Sequence, residues 1–279
     1  MAWPQLTCRS WDDFLKIVET IPKNNYPKTV GYVFRGQADA EWHLDTSLTR
    51  ELVKIHAAVT PPEAEEIEKN LLHVFANSFQ QYFPLIDSRD NPPLRWSVMQ
   101  HYSAPTRLLD WTASLLVAAY FASESLWDRD GAMWIVDAKY LNEGAKCAFS
   151  GDQIGYEMLC SPRAQPVFQL YFDDCRYHQR IVVQQGLFTF CHQVFGDHEK
   201  LIEQVCQPES DRLKNECTVF CKVIIPRDLK SVFVRELSHK GFSAESLFPG
   251  SDGYGRSLRE LARVMVHHQM CQHTSGPND

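Results

Sequence analysis

Apolar and polar positions along the chain divide it into helical stretches early and strand-like stretches later. Phe14, Leu15, Val18 and Ile21 recur at helical spacing behind Ser10, with Asp13 three residues on, and predict a capped helix that Pro22 and Pro27 close. Thr29 to Arg35 is a β-branched and aromatic run ended by Gly36, which predicts a strand with Arg35 at its end. Two helices are expected over 46–59 and 62–82. The second carries Ile67, Leu71, Leu72, Phe75 and Phe79 as a stripe, with Glu63, Glu65 and Glu66 in its first turn.

Leu94 to His101 predicts another helix, which Pro105 separates from a short strand-like run, Thr106 to Trp111. Ser114 to Ser125 is apolar and small on nearly every face, the pattern of a buried helix. Strands are expected at Ala132 to Val136, at Arg180 to Gln184 and Leu187 to Cys191 around Gly186, and at Cys217 to Ile225. Asp137 to Tyr171 gives no clear period and is expected as loop. Helices are expected over Arg227 to His239 and Tyr254 to His267, with a disordered tail after His273. Interleaved helices and strands of this kind predict an α+β fold with a mixed central sheet and flanking helices.

The chain has 279 residues, 44% of them hydrophobic and 23% charged, with no repeat and no low-complexity tract, which excludes collagen, coiled coil and disorder. Its apolar runs, such as Leu115 to Ala122, fall far short of the roughly 20 residues of a membrane span, so no membrane association is expected. A net charge of −7 argues against bulk nucleic-acid binding, and any phosphate must be met by a few placed cations. Nine cysteines without a C-x-x-C pair are read as reduced thiols of a cytoplasmic protein.

Four segments carry more functional groups than packing requires. Arg35 with Gly36 and Gln37 could clamp a carboxylate or phosphate, the glycine admitting another group to the backbone; a structural ion pair is the alternative. Gln100, His101, Tyr102, Arg107, Asp110, Thr112 and Ser114 lie on one helix-to-strand-to-helix passage whose helix start can receive an anion. Capping by Asp110, Thr112 or Ser114 and an Arg107–Asp110 pair would account for the same residues structurally. Gln184 and Gln185 beside Gly186 place an amide where it needs a partner, either a ligand or backbone at a bulge. Leu247 to Gly253 reads as a structural loop with Asp252 as a cap. There is no P-loop, no G-x-S-x-G and no H-E-x-x-H.

These segments, taken in order as Phe34-Arg35-Gly36-Gln37, Gln100-His101-Tyr102, Pro105 to Thr112, Gln184 to Thr189, and Leu247-Phe248-Pro249 with Asp252-Gly253, resemble the FRG domain family. The resemblance spans 28–262 and leaves 1–27 as an N-terminal helical extension and 263–279 as a C-terminal tail. Ser103-Ala104 departs from the glycine and apolar residue expected there, and Gly250-Ser251 interrupts the run before Asp252. More distantly, the chain resembles the arginine-serine-glutamate class of ADP-ribosyltransferases. That resemblance implies an enzyme using NAD or a related nucleotide, acting as a bacterial toxin or anti-phage effector on a macromolecular target the sequence does not identify. It implies that Arg35, Gly36, Gln37, Arg107, Thr112, Ser114 and Gln184 bind the nucleotide, Thr112 and Ser114 at the ribose. Gln185 would stand at the position of the class's catalytic glutamate, and His101 or Asp110 would supply the proton chemistry an amide cannot. The alternative is a non-catalytic module that binds a nucleotide, nucleic acid or protein through the same residues.

Overall fold

The computed structural model describes residues 3–25, 28, 30–54, 59–83, 92–141, 168–171, 179–191, 193–213 and 220–274. Their strands are β1 (Gln5–Thr7), β2 (Tyr32–Gln37), β3 (Leu108–Thr112), β4 (Gly131–Asp137), β5 (Phe168–Tyr171), β6 (Gly186–Cys191) and β7 (Phe220–Ile225). They form one seven-stranded sheet in the order β1-β7-β4-β2-β3-β6-β5. β1 runs parallel to β7 and every other pair is antiparallel, so the sheet is mixed. The expected α+β class, with helices flanking a mixed sheet, is what the chain adopts.

The helices are α1 (Trp11–Thr20), α2 (Ser47–Lys54), α3 (Pro61–Tyr82), α4 (Pro92–His101), α5 (Leu115–Ser123), α6 (Gln179–Val183), α7 (His198–Leu213), α8 (Lys230–His239), α9 (Ala244–Leu247) and α10 (Ser251–Thr274). The starts of α1 and α3 follow local chemistry. The Asp13 amide donates to Ser10 Oγ at 3.1 Å, and Glu63 reaches back to accept from the Thr60 amide at 2.8 Å.

Side-chain alternation gives the sheet two buried faces. On one, Val33, Trp134, Leu109, Trp111, Val136 and Phe220 pack against Leu201 and Ile202 of α7. On the other, Phe34, Met133, Ile135, Val223 and Ile225 are covered by α5, with Phe14 of α1 and Phe233 of α8 behind it. The β3–β6 half of that second face is covered separately, where Leu108, Phe188 and Phe190 meet Leu72, Trp96, Met99 and Ile181 from α3, α4 and α6.

Gly36 and Gly131 explain how closely α5 lies on the sheet. A Cβ on Gly36 would sit 1.9 Å from the Ala118 carbonyl oxygen, and one on Gly131 would sit 2.0 Å from that of Ala122. The group that approaches the Gly36 backbone is therefore the α5 backbone. The helix side of this contact is itself small, with Ala118, Ala119 and Ala122 all buried.

Several sequence expectations give way here. Gln179–Val183 is a helix where a strand was expected, because Gln184 and Gln185 end it by turning the chain back into β6. Phe168–Tyr171, expected within a loop, pairs along β6 as the edge strand. Within 1–27, Gln5–Thr7 joins the sheet beside β7, and the expected helix follows as α1 with Phe14 fully buried in the core. The final helix starts at Ser251 and runs through the expected domain boundary at 262, so Asp252 lies in its first turn. The remainder of the tail, 275–279, lies outside the described residues, as does most of 137–171.

Candidate functional site

β2 and β3 share one paired position, Phe34 opposite Thr112, whereas β2 follows β4 in register from Tyr32 to Gln37. Past Phe34 the two strands part, and the helices above them part as well, α5 lying over β2 and α4 with α6 over β3 and β6. A cavity of about 290 Å³ fills this opening. Its wall draws on Phe34, Arg35 and Gly36 of β2, Asp110 and Thr112 of β3, Phe188 of β6, Gln100 and His101 of α4, Phe121 of α5, and Arg180 and Gln184 on and after α6.

Arg35 belongs by strand alternation to the opposite face, yet it lines the cavity because the missing β2–β3 ladder leaves a gap. Its guanidinium spans that gap, Nη1 donating to the Asp110 carbonyl at 2.7 Å and lying 3.9 Å from Oδ2 of the Asp110 carboxylate. The side chain is only 15% exposed, and its Nε is buried without a hydrogen-bond partner. Burial pulls the Arg35 pKa below its ordinary value, which Asp110 opposes and Arg50 reinforces. Behind it, His198 is buried at the start of α7, and burial together with the Arg35 charge lowers its pKa to about 4, leaving the ring neutral.

Asp110 is the more accessible partner, its side chain 55% exposed. Gln100 orients it: Nε2 donates to Asp110 Oδ2 at 2.9 Å, while Gln100 Oε1 accepts from the hydroxyls of Thr106 at 2.5 Å and Ser47 at 3.1 Å. Three polar side chains thereby hold one carboxylate at the mouth of the cavity. His101 follows Gln100 at the end of α4, edge-on to Tyr102. α4 stops there because Ser103 takes a left-handed backbone, φ 64°, at the position where the resemblance leads one to expect glycine.

The structure brings Arg35, Gly36, His101, Asp110, Thr112 and Gln184 to this cavity. Gln37, Arg107, Ser114 and Gln185 do not line it, and each has a structural use. Gln37 accepts from Trp134 Nε1 at 2.6 Å and donates to the His43 carbonyl at 3.0 Å. Arg107 is buried against Glu68, its Nε donating to Glu68 Oε1 at 2.7 Å and its Nη2 to Oε2, so the expected pairing with Asp110 does not occur. Ser114 caps α5, accepting from the Val117 amide at 3.4 Å. Gln185 adopts φ 49°, and its carbonyl accepts from the Ala113 amide at 2.9 Å.

Two of the residues that do line the cavity are also committed. The Thr112 hydroxyl donates to the Gln184 carbonyl at 2.7 Å and accepts from the Ser114 amide at 3.0 Å, and Gln184 Nε2 donates to the Leu247 carbonyl at 2.9 Å. Sequence reasoning overlooked Arg180 as a site residue. Read as a strand, 180–184 points Arg180 and Gln184 to one face without distinguishing them from their neighbours. Read as a helix, the four-residue spacing puts both on the side facing the cavity.

Fold and site together define an α+β protein with a cavity at the parting of two sheet strands, walled by two arginines and one oriented carboxylate. The model of the FRG domain matches residues 30–130 of the chain. That stretch holds Arg35, Gln100, His101, Asp110, Thr112 and Phe121, whereas Arg180, Gln184 and Phe188 come from beyond it. No curated protein and no solved structure matches the chain. Among the described residues, no helix is long and apolar enough to cross a membrane, and no cluster of His, Cys, Asp and Glu could hold a metal ion.

Proposed function

We propose that this cavity binds a phosphate-bearing nucleotide, NAD foremost, and that the chain acts on it as an ADP-ribosyltransferase-like enzyme. The observation that carries this reading is Arg35, a desolvated guanidinium with a buried, unpartnered Nε in the wall of the only-partly-closed opening between β2 and β3. A desolvated guanidinium is costly to leave short of partners, and a phosphate oxygen reaching its cavity-facing part offers a charge-assisted bond. The volume fits too: about 290 Å³ is near the lower end of small-molecule sites, enough to enclose one nucleotide half of a dinucleotide. Phe121 and Phe188 offer aromatic surface to a base or nicotinamide ring.

NAD would supply an activated glycosidic bond. The chain's part is then electrostatic and geometric. Arg35 holds a phosphate. Asp110, aimed by Gln100, offers its carboxylate to positive charge developing on the ribose or takes the proton of an incoming nucleophile, and His101 is the second group able to move a proton at the cavity. Because Gln184 is bound to the Leu247 carbonyl and Gln185 lies off the cavity, the carboxylate role falls to Asp110.

The commitment of Thr112 and Gln184 to backbone partners favours a second reading, a module that binds a nucleotide, nucleic acid or protein without chemistry. One experiment separates the two: thermal stability of the wild type, Arg35→Ala and Asp110→Asn with NAD, ADP-ribose and ATP, with NAD consumption followed in the same samples. Stabilisation lost in Arg35→Ala, together with turnover lost in Asp110→Asn, supports the enzyme. Stabilisation without turnover selects the binding module. No response to any nucleotide from folded protein overturns the nucleotide reading.

A further inference from the structure

Arg180 lines the cavity together with Arg35 and Asp110. Its guanidinium lies 4.7 Å from the centre of the Phe248 ring, and Arg256 lies 4.0 Å from the same ring centre. Arg256 is satisfied locally, Nε donating to Asp252 Oδ2 at 3.1 Å. Arg180 has no hydrogen bond or ion pair to any described residue, although it lines the cavity. Burial and the neighbouring Arg256 charge both disfavour its cation, and Asp110 and Asp252 only partly offset them.

The fold nevertheless fixes where Arg180 stands. One turn along the same helix, Gln184 is bound to the Leu247 carbonyl, and Ile181 is buried between α4 and β6, so α6 is pinned from two directions. The Phe248 ring, itself 2% exposed, gives the guanidinium a rigid surface to stack on. A guanidinium stacked this way in the cavity wall has little side-chain entropy left to lose when an anion arrives. Arg35, Asp110 and Arg180 line the same cavity, and Asp110 acts electrostatically on both arginines.

We infer that Arg180 is the second anion-holding residue of the site, and that the cavity selects ligands with two adjacent phosphate groups over those with one. This rests on the nucleotide reading of the cavity above and adds to it the class of ligand. Arg35 holds one phosphate through the guanidinium protons it presents to the cavity, Arg180 holds the other through its fork, and Asp110 is left to a sugar hydroxyl.

The test is calorimetric titration of AMP, ADP, inorganic phosphate and inorganic pyrophosphate into the full chain at about 0.15 M salt, in the wild type, Arg180→Gln, Arg180→Lys and Arg35→Gln. Loss of a charge-assisted fork is worth about tenfold or more in affinity. Wild type should therefore bind ADP at least about tenfold tighter than AMP. Arg180→Gln should abolish that preference while leaving AMP within about twofold, Arg180→Lys should retain part of it, and Arg35→Gln should weaken both nucleotides. Thermal midpoints within a few degrees of the wild type establish that the variants are folded. Equal binding of AMP and ADP by the wild type, or equal weakening of both by Arg180→Gln, overturns the inference while the nucleotide reading stands. Arg180-dependent binding of pyrophosphate with no nucleotide bound overturns the nucleotide reading and leaves the paired arginines as a diphosphate clamp. Binding of none of the four overturns both.

Discussion

Replacing Glu68 with glutamine separates a structural arginine from a ligand-binding one. Glu68 and Arg107 are each about 3% exposed, joined by two hydrogen bonds, and the guanidinium sits 5.7 Å from the centre of the Trp96 ring and 5.4 Å from that of Phe190. Glu68→Gln keeps the shape and removes the charge, so a guanidinium desolvated among aromatic rings loses the Glu68 carboxylate. Breaking a buried pair in this way costs about 3–5 kcal/mol, because water cannot replace the lost carboxylate. For a domain of this size each kcal/mol moves the melting temperature by about 2–4 °C, which gives a fall of about 6–20 °C. Thermal and urea unfolding followed by circular dichroism measure it. The double variant Glu68→Leu/Arg107→Met, which removes both charges and keeps apolar volume, should recover to within about 2 kcal/mol of the wild type. It should also keep the response to nucleotides, since Arg107 lies outside the cavity. A loss below about 1 kcal/mol in Glu68→Gln, or a double variant as unstable as the single one, would refute the reasoning.

His198 predicts a pH dependence. Its pKa of about 4 in the fold lies below the 6.5 of an exposed histidine, so the unfolded chain binds the extra proton. Its contribution to stability is present above about pH 6.5 and falls progressively towards pH 4, by about 3 kcal/mol at 1.36 kcal/mol per unit; His198→Gln should flatten that limb of the stability curve, and an unchanged limb would sink the assignment. Gly36→Ala drives a methyl group into the Ala118 carbonyl, and we expect a loss of about 3 kcal/mol or more, read as a lowered urea midpoint or insoluble expression. Ser103→Gly and Gln185→Gly relieve left-handed backbone at two non-glycine residues and should each raise stability by about 0.5–1 kcal/mol. Gln185→Gly should in addition leave NAD-dependent behaviour unchanged, because its side chain does not line the cavity; lost turnover with retained stability would return Gln185 to the site.

Periodicity was enough to find the elements whose chemistry is local. The Ser10 cap and the α1 stripe, the apolar α5, and the β-branched runs that become β2, β4 and β7 are all readable from residues a few positions apart, because capping, burial pattern and strand preference act over that range. The segment 180–184 defeated the same reasoning: Val and Ile favour strands, and only packing of Ile181 against α4 and β6, with Gln185 turning the chain, makes it helical. β1 and β5 are too short for any pattern, and each exists because a neighbouring strand offers it a ladder.

At the site, residue type alone marked Arg35, His101 and Asp110 as unusual, but it could not say which polar groups were free. Arg107 resembled a ligand-binding residue in sequence until Glu68, 39 positions away, was seen to bind it, and Thr112 and Gln184 were likewise claimed by backbone that only folding brings near. Arg180 became a candidate for the opposite reason, since the fold desolvates it and provides no carboxylate within bonding distance among the described residues. Whether a polar group is spent or available depends on partners distant in the chain, and those partners are set by which strands pair and where β2 and β3 part.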